Sequence, residues 1–322
     1  MKKIPLVILL IAFIFITYTY FNPSIRFIYP IKYEKDITQH IDNEKGFMEW
    51  WYFDGSITEN LSFVLSFLAR PQIQYVVLSL YDSESDYRKT YRFNIAALET
   101  KISSNKCQVE FGKNTIREEN GNYIVNINTA EMLFNFRFVP VTEGFAFLAQ
   151  SRGATFYPTI KIPRGKISGV LEYEDKKINF NGLSYYDHNY FKRDSYFKFL
   201  KNGWYWGRFF TEHYTVVVTQ FFGNKLSSYI AVFNNNKLLK FIPQPQIICE
   251  EGEIKNMAQL PSEINLKFDG FLLSISNDKV FSKTANYARF VNKVVFKVSE
   301  PGKEIAENGY GLSELTYKTN RK

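Results

Sequence analysis

Glu131-Met132-Leu133-Phe134-Asn135-Phe136-Arg137-Phe138 alternates strictly: Met132, Phe134, Phe136 and Phe138 are large and apolar, while Glu131, Asn135 and Arg137 are polar. Successive side chains of a strand point to opposite faces, so this period of two predicts a strand with one buried and one wet face. The same reading applies to Ile264, Leu266 and Phe268 against Asn265, Lys267 and Asp269, and to Val294, Phe296 and Val298 against Lys293 and Lys297. Turn signals separate such runs: Glu119-Asn120-Gly121-Asn122, Pro163-Arg164-Gly165, Asn234-Asn235-Asn236, Asp269-Gly270 and Pro301-Gly302. Beyond the N-terminal segment no run sustains a helical period for three turns. The expected fold class is all-β, antiparallel, built as barrels or sandwiches that close or shorten their edges.

Composition supports this reading. The 322 residues include 31 Phe and 22 Tyr against 4 Met, and 45% are hydrophobic. Aromatics suit a pleated, half-buried surface, and the chain is too apolar to be disordered. Its length allows two domains. Polar residues crowd between Phe191 and Gly203, and the boundary is placed there, giving domains at 31–195 and 196–322 after an N-terminal segment at 1–30. With three His and two Cys, and no CxxC or HExxH, a His/Cys metal centre is not expected. Cys107 and Cys249 read as separate buried thiols. The net charge of +8 is scattered, so no nucleic-acid stripe can be drawn and no nucleic-acid partner is expected.

Ile4 to Phe21 is a continuous apolar run behind Lys2 and Lys3, with Tyr18 and Tyr20 near its far end. That pattern predicts a transmembrane signal anchor with a cytoplasmic N-terminus and the rest of the chain outside the cytoplasm, on a periplasmic or extracellular face.

Three segments carry side chains capable of chemistry. In Glu49-Trp50-Trp51-Tyr52-Phe53-Asp54, one strand face offers Glu49 and Trp51 and the other Trp50, Tyr52 and Asp54. The alternative is an aromatic core with Glu49 at its rim. In Tyr185-Tyr186-Asp187-His188-Asn189-Tyr190, a carboxylate adjoins an imidazole, a combination suited to general acid catalysis. Neighbours on an extended strand face opposite ways, however, and a hydrogen-bonded corner between sheets would explain the same residues. In Trp204-Tyr205-Trp206-Gly207-Arg208, two indoles and a guanidinium share a face, forming either a ligand wall or a cation–π stack.

In order and spacing these segments resemble the carotenoid 1,2-hydratase (hydroxyneurosporene synthase) family and the related AttH-like proteins. The motifs that carry the resemblance are Glu49-Trp50-Trp51-Tyr52, Gly182 with Asp187-His188-Asn189-Tyr190, and Trp204-Tyr205-Trp206-Gly207-Arg208. Gly169-Val170-Leu171 and Gly309-Tyr310-Gly311-Leu312-Ser313-Glu314 fit the family's other strands, so the likeness covers most of 44–317. It implies two lipocalin-like (calycin) domains and a pocket near their junction for an apolar molecule such as a lipid, isoprenoid or polyene. It also implies cofactor-free, acid-assisted hydration or isomerisation of a C=C bond. Asp187 or His188 would deliver the proton, and Glu49, Trp51, Tyr52, Tyr186, Tyr190, Trp204, Trp206 and Arg208 would line the ligand site. The chain departs from the family at Tyr190, where the hydratases carry Trp, and at Thr215-Val216-Val217-Val218, which lacks their Tyr-x-Asp pair. An envelope lipid carrier and a purely structural protein are the competing classes.

Overall fold

The computed structural model describes residues 27–31, 48–70, 72–151, 154–191, 203–222, 228–243, 262–284, 287–300 and 303–316. Among them the chain is antiparallel β throughout, with one short 3-10 turn at Ala97–Glu99. The first sheet contains β1 (Phe27–Ile31), β2 (Met48–Ser56), β3 (Leu61–Arg70), β4 (Ile73–Asp82), β5 (Tyr87–Ile95), β6 (Thr100–Ile102), β7 (Gln108–Phe111), β8 (Asn114–Glu119), β9 (Asn122–Asn128), β10 (Met132–Pro140), β11 (Gly144–Ser151), β12 (Ala154–Tyr173) and β13 (Lys176–Phe191). The second contains β14 (Trp204–Phe210), β15 (Tyr214–Phe221), β16 (Tyr229–Asn234), β17 (Lys237–Pro243), β18 (Glu263–Phe268), β19 (Phe271–Thr284), β20 (Tyr287–Glu300) and β21 (Lys303–Thr316).

The main path of the first sheet runs β5-β4-β3-β2-β13-β12-β10-β9-β8-β7-β6, with β11 and β1 branching from β12. It curls until β4 packs against β7, leaving a nearly closed barrel. The second runs β17-β16-β15-β14-β21-β20-β19-β18 as a half-barrel. The alternation that began at Met132 is borne out: Met132, Phe134, Phe136 and Phe138 are buried on β10, which pairs with β9 and β12. The three phenylalanine rings meet those of Phe53, Phe63, Tyr123 and Tyr186 within the barrel core, to which Met132 also belongs. A second core lies within the half-barrel, and a third lies between the sheets.

Asn120-Gly121 and Asp269-Gly270 form the tight hairpins read from the sequence, each with two consecutive positive φ angles (53° and 76°, 40° and 82°). Pro163-Arg164-Gly165 does not form a turn. It lies inside the 20-residue strand β12, where the pairing with β13 shifts register between Ile162 and Gly165. A bulge of this kind bends a strand without ending it, and it accommodates a proline that cannot donate to the ladder. Arg164 follows the bend and reaches the second sheet. Its Nη2 donates to the carbonyls of Thr211 (2.6 Å) and Tyr214 (2.7 Å), and its Nη1 to that of Glu212 (3.1 Å).

Among the described residues no helix is long and apolar enough to cross a membrane. The expected anchor, Ile4 to Phe21, lies outside the described residues, as do Cys249 and the Pro301-Gly302 turn. The last residues assigned to that N-terminal segment, Phe27 to Pro30, are strand residues paired with β11. One pairing change accompanies the break between Phe191 and Trp204, where the first sheet ends and the second begins.

At Gly169 the backbones of β10 and β12 approach so closely that an added Cβ would stand 2.0 Å from the Asn135 carbonyl oxygen and 2.7 Å from Phe136 Cα. Backbone cannot yield as a side chain can. Gly169→Ala is expected to destabilise the fold by about 2–3 kcal/mol, read as a lowered denaturation midpoint in urea with an unchanged slope.

Candidate functional site at the junction of the two sheets

Strands β2 and β13 pair in a register that sets His188 opposite Trp51, Asp187 opposite Tyr52, Asn189 opposite Trp50 and Tyr185 opposite Asp54. Because paired residues share a face, this wall presents two different chemistries. Trp51, Phe53 and Tyr186 face the barrel, whereas Tyr52 and Tyr185 face the second sheet. Asp187 and His188 therefore lie on opposite sides of one strand and do not form a dyad. The geometric reason is the period of two: β13 stays extended through the Asp-His-Asn triplet, with no turn to bring the neighbours together.

On the barrel side, His188 Nε2 lies 2.8 Å from Glu49 Oε1, and both side chains are wholly buried. The Trp51 indole stacks on the imidazole at 4.7 Å and 19°, and meets Phe111 edge-on. Tyr186 lies in the barrel core, its ring centroid 4.5 Å from that of Tyr123 and 4.6 Å from that of Phe53. Tyr190 is half-buried, opposite Glu49.

The junction side holds the denser polar group. Three donors converge on Asp187: Lys161 Nζ (3.0 Å) and the Tyr185 hydroxyl (2.8 Å) to Oδ2, and Asn189 Nδ2 (2.5 Å) to Oδ1. Lys161 also donates to the Tyr185 oxygen at 3.1 Å. Burial alone would lower the lysine's pKa, but the Asp187 carboxylate and the Tyr229 phenol together outweigh it and hold the lysine above its ordinary value. Burial, reinforced by Asp187, pushes the Tyr185 phenol well above its ordinary range.

Two further pairs cross from sheet to sheet or lie against the crossing. Arg208 Nε on β14 donates to Asp54 Oδ1 on β2, with both side chains fully buried. Burial raises the Asp54 carboxyl from 3.8 to about 6, against the opposing pull of Arg208. Tyr52 donates to Glu314 Oε1 at 3.2 Å, and the same oxygen accepts from Arg289 Nε at 3.0 Å and from its Nη2. The Trp206 ring packs edge-on against Tyr52 (5.7 Å) and Tyr185 (5.2 Å), with half-buried Trp204 beside the cluster. His213, read as a structural or surface residue, bonds Glu307 at 2.7 Å at the surface.

The residues singled out from the sequence thus divide between the two faces. Glu49, Trp51, Tyr186 and His188 belong to the barrel, while Tyr52, Asp187, Trp204, Trp206 and Arg208 belong to the junction. Sequence reasoning missed Asp54, Lys161, Tyr185, Arg289 and Glu314 as members of the site, although it placed Asp54 on the face of Tyr52. Tyr185 was accessible in principle, since it stands two residues before Asp187 and shares its face. Lys161 had no signal: a lysine between Ile160 and Ile162 reads as a wet-face residue until the second sheet covers it.

In sequence the chain matches no family model and no curated protein. In structure it is similar to an AttH-like protein from Nitrosomonas europaea, with TM-score 0.56 and 16% identity over 84% of this chain and 92% of that one. It is similar also to kievitone hydratase from Nectria haematococca, with TM-score 0.57 and 16% identity over 93% and 98% of the two chains. CghA, solved with Sch210972, gives TM-score 0.61 at 9% identity over 91% and 98%. The fold implied by the motif order, a lipocalin-like pair of antiparallel sheets, is the fold these proteins share.

Asp54 should titrate near pH 6 when followed by carboxyl carbon NMR. The folded chain then holds this proton to a higher pH than the unfolded chain, so the group's contribution to stability falls as pH rises from 3.8 towards about 6. Asp54→Asn should flatten that part of the curve of denaturation midpoint against pH.

Proposed function

We propose that the junction binds a long apolar molecule, a lipid or isoprenoid, and assists hydration or isomerisation of one of its C=C bonds by acid–base chemistry. The observation that carries this reading is a pair of carboxyl groups in contrasting settings on one aromatic, desolvated face. Asp187 accepts from three donors, which fixes the direction of its carboxylate and suits a group that orients water or substrate. Asp54 keeps its proton to about pH 6, and its Oδ2 has no partner among the described residues, which suits a donor. The indole faces of Trp206 and Trp204 and the Tyr52 ring would stabilise a carbocation without attacking it. His188 acts from the far side of β13 as a positioning residue, fixing the wall through Glu49 and Trp51.

The fold-level likeness to a hydratase is consistent with this reading. The apolar run at Ile4 to Phe21 favours a site tethered beside a lipid source, with the folded part outside the cytoplasm. A carrier that only holds its guest would use the same face without turnover.

Incubated with isoprenoid alkenes in water labelled with heavy oxygen, the full chain should yield labelled alcohols or mass-neutral isomers. Asp54→Asn and Asp187→Asn should each lower turnover by roughly 100-fold, while uptake of retinol, read by quenching of tryptophan fluorescence, persists. Uptake without product in the unmodified chain establishes the carrier; absence of uptake overturns the proposal.

A further inference from the structure

Arg208 is fully buried, yet it meets Asp54 through Nε alone. A guanidinium that pairs side-on with a carboxylate commonly uses Nε and one terminal nitrogen together. Here both terminal nitrogens, Nη1 and Nη2, are buried without a partner among the described residues, and so is Asp54 Oδ2. The end of the guanidinium, the fork that accepts two oxygens at once, is unused. Leaving charged N–H donors unpaired in a desolvated place is among the larger penalties a fold can carry.

The surroundings strengthen the positive character of this place. Arg164 and Arg208 both lie over the Phe210 ring, their guanidinium carbons 5.2 Å and 4.3 Å from its centroid. Arg164 Nε is likewise buried and without a partner among the described residues. Burial lowers the pKa of Arg164, and the charge of Arg208 adds to that effect. Glu307, whose field also reaches Arg164, is already bonded to Thr211 and His213. Two residues before Arg208 on the same face, the Trp206 indole N–H is a further buried donor without a partner among the described residues. Donors in excess thus run along one edge of the junction, from Trp206 through Arg208 to Arg164, next to the aromatic face.

We infer that this edge is an oxyanion site: the Arg208 fork receives a carboxylate, enolate or phosphate, and the aromatic face beside it takes the apolar body when the oxyanion belongs to such a molecule. The inference rests on the junction being a ligand site, and it narrows the ligand class from any long apolar molecule to an amphipath with an acidic head. Asp54 remains beside the head, sharing Arg208 with it.

The test uses the full chain in a non-ionic detergent and two probes with one apolar body, retinoic acid and retinol, with inorganic phosphate as the free oxyanion. Retinoic acid is expected to bind at least tenfold more tightly than retinol. Arg208→Lys, which keeps a charge toward Asp54 but lacks the fork, is expected to bring the ratio of the two affinities close to one. Phosphate that displaces retinoic acid but not retinol places both at the fork, and it distinguishes a free oxyanion from a head group by whether it binds without the apolar body. Equal affinity of the unmodified chain for acid and alcohol overturns the inference while leaving apolar binding intact, and this comparison decides even if Arg208→Lys fails to fold. If neither retinoid binds but phosphate perturbs the arginine side-chain nitrogen resonances, the oxyanion site stands and the apolar-ligand reading falls. If none of the three binds, both fall.

Discussion

Charge removed from water is the constraint around which the two sheets are arranged. Asp54 with Arg208, Asp187 with Lys161, and Glu314 with Arg289 are carboxylate–cation pairs in or beside the third core, among the rings of Tyr52, Tyr185 and Trp206. Taking such groups out of water costs several kcal/mol per ion, and attraction within a pair repays this only when the geometry is good and the remaining donors are used. Packing the same two faces with aliphatic side chains would have served cohesion at least as well. That the faces instead hold ions, phenols and indoles is why the junction, and not either barrel interior, is where chemistry is proposed.

The barrel interior makes the contrast clear. Among the described residues, what surrounds His188 and Glu49 there is aliphatic packing and interlocked rings, Phe53, Phe63, Phe134, Phe136, Phe138, Tyr123 and Tyr186 among them. Arg164 then ties this filled body to the second sheet by donating to the carbonyls of Thr211, Glu212 and Tyr214. The bulge that places Arg164 is therefore as much a part of the junction as the pairs inside it.

Much of this was legible in the residues, because strands announce themselves by a local rule. The alternation at Met132 to Phe138 and the hairpins at Asn120-Gly121 and Asp269-Gly270 need no knowledge of the rest of the chain. Pro163-Arg164-Gly165 was misread because the residues that favour a turn are the same ones that favour a bulge, and only pairing across both edges of β12 separates the two. The candidate site was less legible. Period two foretold that Asp187 and His188 would diverge, but not which face a second sheet would cover, and so Lys161 gave no sign of its burial. Glu314 and Arg289 become site residues only through β14–β21 and β20–β21 pairing, a long-range fact.

Strand β13 is a partition with a different room on each side, and its residues are allotted to the two rooms alternately. Substitutions on odd-numbered positions such as Asp187 act first on the junction, and those on even-numbered positions such as His188 act first on the packed barrel. Inserting or deleting a single residue upstream within the strand would exchange the tenants of both rooms together, driving an imidazole into the ionic layer and a carboxylate into the hydrocarbon. Drift in such a lineage is thus free to proceed by replacement and closed to change of length.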